Sequence, residues 1–357
     1  MDFGPLRPYT WALAMGVFIP ASWVLDLLIG ESVVVFAVAG IAIVPLAWFL
    51  GLATEELGKH AGPGIGGLLN ATFGNATELI IAVFALANGL PDVAKASLTG
   101  SVIGNVLLVL GLSMLVGGLR HKTQMFSREA SGIQITMLVV AVIALVMPAL
   151  YVLSTGIRGG VTLEEMSLGI AGIMLVAYGL GLLFSLRTHR DIFNPVSEVV
   201  EEPRWTKRFA LSVLVVATAL VAIESEILVG SLVSAQQSLG LTELFIGVII
   251  IAIVGNAAEH GSAVLMAWRN KMELSVAVAT TSTTQVALFV APILVFVSLL
   301  TTRVMTLDFE IFELASLALS AAVVAAVVSD GRSNWYEGAL LVIVYAVIAV
   351  AFLFHPP

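Results

Sequence analysis

The chain has 357 residues, of which 59% are apolar and only 11% charged, with a formal net charge of −8 and no cysteine. A soluble globule carries about 25% charged residues, so this composition, with a mean hydropathy of +1.05, cannot cover a water-facing surface and places most of the chain in lipid. No basic patch offers itself to nucleic acid, and the missing cysteine excludes disulfides, thiolate metal sites and cysteine nucleophiles.

Apolar runs of about 20 residues are long enough to cross the hydrocarbon as helices. The first, 9–29, lacks the basic start and small-residue cleavage site of a signal peptide and is read as a span. The second, 32–52, is followed by Glu55 and Glu56. A turn containing Gly62, Pro63, Gly64, Gly66 and Gly67 leads into the third, 65–88, which contains Gly74-Asn75-Ala76-Thr77-Glu78. The fourth, 94–117, carries Gly100 and Gly104 at the small-xxx-small spacing of closely packed helices. Runs 131–153 and 165–185 follow. The stretch from Arg187 to Arg208 is polar, holds Glu198, Glu201 and Glu202, and marks a natural boundary. Beyond it come 207–232, with Glu224 and Glu226 towards its far end, and 242–268, with Gly255-Asn256-Ala257-Ala258-Glu259. The last three are 274–300, with a polar cluster from Thr280 to Thr284, then 308–328 and 335–354.

Lys and Arg placement tests this set of eleven. With the N-terminus and every second loop on one side, that side holds 13 of the 16 basic residues. By the positive-inside rule the N-terminus is cytoplasmic and the C-terminus outside. The Gly-Asn-Ala-x-Glu motif of the third span recurs 181 residues later in the eighth. An odd number of spans separates the copies, so they enter the membrane from opposite sides, as in inverted-topology transporters. The expected fold is an all-α integral membrane protein of eleven transmembrane helices arranged 1+5+5. Its segments are a first helix (1–31), a five-helix repeat (32–186), a polar, acidic cytoplasmic linker (187–206) and a second, inverted repeat (207–357).

A charged residue near the centre of a span costs about 2.5–3.5 kcal/mol on insertion scales. Glu78 and Glu259 would meet near the midplane, and neither span offers a Lys or Arg partner. Such a pair avoids uncompensated charge by binding protons or a cation, and one divalent ion or two protons neutralises it equally. That competition is the core of an exchange mechanism. Asn75 and Asn256 precede the glutamates by three residues on the same helix face, each offering an amide oxygen. Gly74 and Gly255 loosen the helix and free carbonyls. Ca²⁺ takes about 6–8 hard oxygen ligands, so carbonyls, amides and water must complete the shell, and an all-oxygen set argues against Zn²⁺ or Cu⁺.

These residues resemble the calcium/proton exchangers of the cation/Ca²⁺ exchanger superfamily. The likeness is carried by Gly66-Gly67-Leu68-Leu69-Asn70-Ala71-Thr72-Phe73-Gly74-Asn75-Ala76-Thr77-Glu78-Leu79-Ile80 and Ile253-Val254-Gly255-Asn256-Ala257-Ala258-Glu259-His260. Ser97 to Ser101, Ile223 to Glu226 and Ser282 to Gln285 support it. The resemblance implies Ca²⁺/H⁺ antiport by alternating access, with Glu78 and Glu259 binding both ions and no resident cofactor. It also implies that polar residues of the fourth and ninth spans, here Ser101, Asn105, Ser282 and Gln285, line the pathway. Gly104 stands where the family often has serine, and the acidic stretch is short. Only about eight residues precede the first span, which argues against an autoinhibitory tail and favours a prokaryotic plasma membrane.

Further candidates carry double readings. His260 either relays protons or packs as a hydrogen-bonded histidine. Glu55 and Glu56, with Glu224 and Glu226, are either acidic mouths that concentrate cations or helix-end charges. Most of the Thr280–Thr284 hydroxyls should bond back to their own helix, whereas Ser282 and Gln285 share a face. Na⁺/Ca²⁺ or other divalent exchange is the nearest alternative function, and a passive cation channel a more distant one. An intramembrane metalloprotease is excluded by the lack of His-Glu-x-x-His, and no catalytic constellation is present. Oligomeric state is not written in the sequence.

Overall fold

The computed structural model describes residues 9–157, 159–193 and 202–356. Among them, ten helices are long and apolar enough to cross a membrane, or eleven with one bent pair taken as a span. In chain order these are α1 (Thr10–Ile29), α2 (Val33–Ala61), α3 (Pro63–Phe73 and Ala76–Ala87), α4 (Pro91–Arg120), α5 (Arg128–Thr155) and α6 (Val161–Thr188). They continue with α7 (Lys207–Gly230), α9 (Met272–Ser298), α10 (Ile311–Asp330) and α11 (Trp335–Leu353); between α7 and α9 the bent pair joins Leu232–Leu239 to Glu243–Gly255, and α8 denotes the broken helix that runs from Glu243–Gly255 into Ala257–Trp268. The chain is an integral, multi-pass membrane protein. Glu198 and Glu201, with Arg7 and Arg158, lie outside the described residues; Glu202 is exposed.

Many helix starts follow from local chemistry. Hydroxyls of Ser32, Ser127, Thr206 and Thr242 accept from the backbone N–H three residues on, at 3.3, 3.1, 3.3 and 3.1 Å, satisfying donors a helix leaves orphaned. Asn334 and Glu337 form a reciprocal capping box at the start of α11. One boundary departs from the sequence reading. The run 207–232 ends as a helix at Gly230, and a polar helix, Leu232–Leu239, turns through 114° into α8. Gly240, at φ 66, supplies the left-handed residue that ends this short helix. A second departure is a two-residue antiparallel pairing of β1 (Gln124–Met125) with β2 (Arg332–Ser333), which ties the α4–α5 and α10–α11 loops together.

Burial sorts the helices into layers. In α4 and α9, 72% of the most apolar window is buried, against 11% in α1 and 22% in α6 and α11. So α4 and α9 form the centre, and the apolar residues exposed on the outer helices face lipid. α4 and α8 cross almost backbone to backbone: a Cβ on Gly100 would sit 2.0 Å from the Val248 carbonyl oxygen, and one on Gly247 2.5 Å from Ala96 Cβ. Each central helix also carries a widened π-helical turn, Gly104–Val109 in α4 and Val286–Val290 in α9. Such turns mark functional segments of helices, and these two flank the polar residues described next.

Candidate functional site

Both copies of the glutamate motif break their helix at the asparagine. Asn75 (φ −106, ψ 26) and Asn256 (φ −94, ψ 11) leave helical geometry in nearly the same way. The second pieces begin at Ala76 and Ala257, which puts Glu78 and Glu259 in the first turn. A helix N-terminus points unpaired N–H groups and the positive end of its dipole at such a residue. The copies also meet: a Cβ on Gly255 would lie 3.2 Å from Glu78 Cγ. A side chain at Gly255 would press on the carboxylate arm and require it to shift by a few tenths of an ångström.

Six polar side chains named from the sequence form one connected network around the breaks. The Asn75 amide donates to Gln285 Oε1 at 2.6 Å, and the Ser282 hydroxyl donates to Asn75 Oδ1 at 2.8 Å. The Asn105 amide donates to Asn256 Oδ1 at 3.1 Å and to Ser282 Oγ at 3.0 Å. The Asn256 amide donates to Ser101 Oγ at 2.9 Å and to the Ala252 carbonyl at 2.8 Å. The break in α3 is thus held by α9, and the break in α8 by α4. Thr280, Thr283 and Thr284 bond back to their own helix instead.

The network changes one expectation. Each asparagine oxygen already accepts one hydrogen bond, which holds the break in this conformation and leaves that oxygen one further lone pair. The oxygens with no partner are elsewhere. Glu78 is 2% exposed, and both its carboxylate oxygens are buried with no partner, as is Asn105 Oδ1. Glu259 is half-buried, and its charge is within electrostatic reach of Glu78. Leaving a buried acceptor unsatisfied costs about 1–3 kcal/mol, and more for a charged group, so the Glu78 carboxylate stands uncompensated in this conformation. Among the described residues no three His, Asp or Glu side chains cluster as a metal cage. A cation at this place would have to take the rest of its shell from carbonyls, amides or water. His260 Nε2 is buried without a partner.

The candidate mouths are placed differently from one another. Glu55 is exposed and ion-paired to Lys59 at 2.8 Å. Glu56 is buried: Oε1 accepts from Lys59 at 2.9 Å, and Oε2 accepts from the backbone N–H groups of Arg204 and Trp205 at 2.6 and 2.9 Å. It therefore clamps the chain entering α7 onto the end of α2, and is not open to collect cations. Glu224 is also buried, within 2.9 Å of the Ser22 hydroxyl of α1, while Glu226 is exposed. Sequence reasoning passed over a further cluster. Lys95 in α4 pairs with Asp92 at 2.8 Å and Asp308 at 3.6 Å, and Thr99 donates to the buried Glu313 of α10 at 2.9 Å. Glu313 was visible by the same rule that picks out Glu78, a carboxylate in an apolar run, but nothing in the sequence shows its partners.

The sodium/calcium exchanger protein family matches residues 31–187 and again 209–354. The Ca²⁺/H⁺ antiporter of Aphanothece halophytica is 47% identical over 357 residues, covering 95% of each chain. The Ca²⁺/H⁺ antiporter ChaA of Bacillus subtilis is 46% identical over 342 residues, covering 94% of this chain and 96% of its own. The structure of native YfkE superposes with a TM-score of 0.84 at 42% identity, covering 96% of this chain and 99% of that one. These are transporters, not enzymes. With its duplicated, broken glutamate helices and its match along both halves, this chain belongs to the Ca²⁺/cation antiporter superfamily and, within it, to the Ca²⁺/H⁺ antiporter family.

Proposed function

We propose that the protein is a secondary active antiporter that exchanges Ca²⁺ for H⁺ by alternating access, with Glu78 and Glu259 binding the two ions in turn at the midplane. The observation that carries this reading is the Glu78 carboxylate, buried with both oxygens unpartnered beside the second copy of its own motif. A divalent ion bridging the pair, or a proton on each member, removes the uncompensated charge. The cross-bonded asparagines hold the two breaks in register while either occupant is present.

The architecture in this reading is 1+5+5: α1, then halves over 32–186 and 207–357 of opposite orientation, joined by the 187–206 linker. Three observations support it: the two family matches, the 181-residue spacing of the motif, and the like backbone at Asn75 and Asn256. The N-terminus lies in the cytoplasm and the C-terminus outside, on the balance of basic loop residues. The prokaryotic antiporters it resembles support the plasma membrane of a prokaryotic cell as its place.

The reading is tested with purified protein in liposomes. An imposed pH gradient, acid inside, should drive ⁴⁵Ca²⁺ uptake, and an outward Na⁺ gradient at equal pH should not. Uptake driven by Na⁺ alone would make this a Na⁺/Ca²⁺ exchanger. Uptake that follows the Ca²⁺ gradient regardless of either counter-ion would make it a channel.

A further inference from the structure

Glu224 of α7 is a third deeply buried carboxyl, outside the pair proposed for transport. It is 0% exposed. Ser22 Oγ of α1 lies 2.9 Å from its Oε1 and 2.8 Å from its Oε2, and the same Oγ lies 2.7 Å from the carbonyl oxygen of Ile19. Distances of this size are those of O–H···O hydrogen bonds. Ser22 thus has short contacts to two different groups, the carboxyl and the Ile19 carbonyl, and its hydroxyl carries a single hydrogen. If that hydrogen goes to the carboxylate, the Ser22 and Ile19 oxygens face each other lone pair to lone pair. If it goes to Ile19, the usual back-bond of a helical serine, Ser22 and a charged carboxylate face each other in the same way. A second hydrogen is needed, and the carboxyl is the group that can carry it.

The surroundings agree with that count. Among the described residues no Lys, Arg or His forms an ion pair with Glu224. From Thr10 to Leu57, α1 and α2 contain no Lys, Arg or His, and their charged groups are Asp26, Glu31, Glu55 and Glu56. The basic residues of α7, Lys207 and Arg208, occupy its first turn, roughly 24 Å along the helix at 1.5 Å per residue. Near Glu224 the chain offers the Trp23 indole of α1 and the hydroxyl of Ser225, which is buried without a partner. An ionised Glu224 would face no cation, and its neutral donors would be the Trp23 indole N–H, the Ser225 hydroxyl and a Ser22 hydroxyl that the Ile19 carbonyl also claims.

We infer that Glu224 is held as the neutral acid and donates to Ser22, which donates to Ile19, so that this chain of hydrogen bonds seats α1 on α7. α1 packs against α2 and α7, so the seat is a polar anchor for the helix outside both halves. Glu224 then has no part in collecting cations at a mouth, in contrast to what its place near the end of the span suggests.

Infrared difference spectroscopy of the full chain in liposomes at neutral pH, wild type against Glu224→Gln, should show loss of one protonated-carboxyl carbonyl band. Glutamine keeps a donor for Ser22, so the half-saturating Ca²⁺ concentration for uptake should stay unchanged. Loss of an ionised-carboxylate band instead, or a several-fold rise in half-saturating Ca²⁺, overturns the assignment. Ser22→Ala gives a second arm should Glu224→Gln fail to fold. It keeps the carboxyl but removes its acceptor, so the protonated-carboxyl band should move to higher frequency. An unmoved band contradicts the hydrogen-bond chain.

Discussion

Glu78→Gln and Glu259→Gln are each expected to abolish pH-driven Ca²⁺ uptake while leaving the protein folded. Glutamine has the shape of the glutamate, so packing against Gly255 survives. It can neither carry the negative charge that binds a divalent ion nor take up and release a proton. Losing one charged partner of a buried pair costs about 3–5 kcal/mol, which corresponds to roughly two to four orders of magnitude in ion affinity. Because the two glutamates are required together, the double variant should be no worse than either single one. ⁴⁵Ca²⁺ flux in liposomes, with a size-exclusion profile to verify folding, measures both. Substantial flux in either single variant would mean that the carboxylates do not act as one site.

Gly100→Ala should be nearly as damaging, for a different reason. At the α4–α8 crossing the added methyl would lie 2.0 Å from the Val248 carbonyl oxygen and 2.7 Å from Ala252 Cβ. The obstacle at 2.0 Å is backbone, so the helices must part. Overpacking costs about 1–3 kcal/mol where side chains can move, and this site belongs at the upper end or beyond. Ser101, next in the chain, bonds Asn256, so parting the helices also pulls on the break beside Glu259. Both thermal stability in detergent and uptake should fall. Gly104→Ala is the control: nothing lies within 4 Å of its added carbon and its backbone is helical, so it should be tolerated. Equal behaviour of the two variants would refute the close crossing.

The glutamate pair proposed for transport was legible in the sequence because a glutamate in an apolar run is costly, and the cost was repeated at a fixed spacing. Ser282 and Gln285 were legible for a simpler reason. They share a helix face, and in the structure both reach Asn75 while the neighbouring threonines bond to their own backbone. Their partner lies 207 and 210 residues away, a distance no periodicity reports. The same blindness explains Glu56 and Glu224. A carboxylate near a span end looks like a mouth until the chain folds back and supplies the N–H groups of Arg204 and Trp205, or the Ser22 hydroxyl. The motif asparagines stand three residues before the glutamates, at the helix breaks. Their oxygens are engaged by Ser282 and Asn105, which only the packing of α4 and α9 could reveal. That the chain carries ten or eleven helices of membrane length was readable from length and hydropathy, whereas the bend before α8 depended on a polar stretch too short to register as a break.

The central claim, that one divalent ion and protons occupy the same two carboxylates by turns, is tested most directly by Ca²⁺ binding at equilibrium with proton release recorded in the same sample. Adding Ca²⁺ to the unbuffered, detergent-solubilised protein should release protons as the site fills, and apparent Ca²⁺ affinity should fall as the medium is acidified. The release should vanish in Glu78→Gln. Ca²⁺ binding of unchanged affinity from mildly acidic to alkaline medium, with no protons released, would contradict the account.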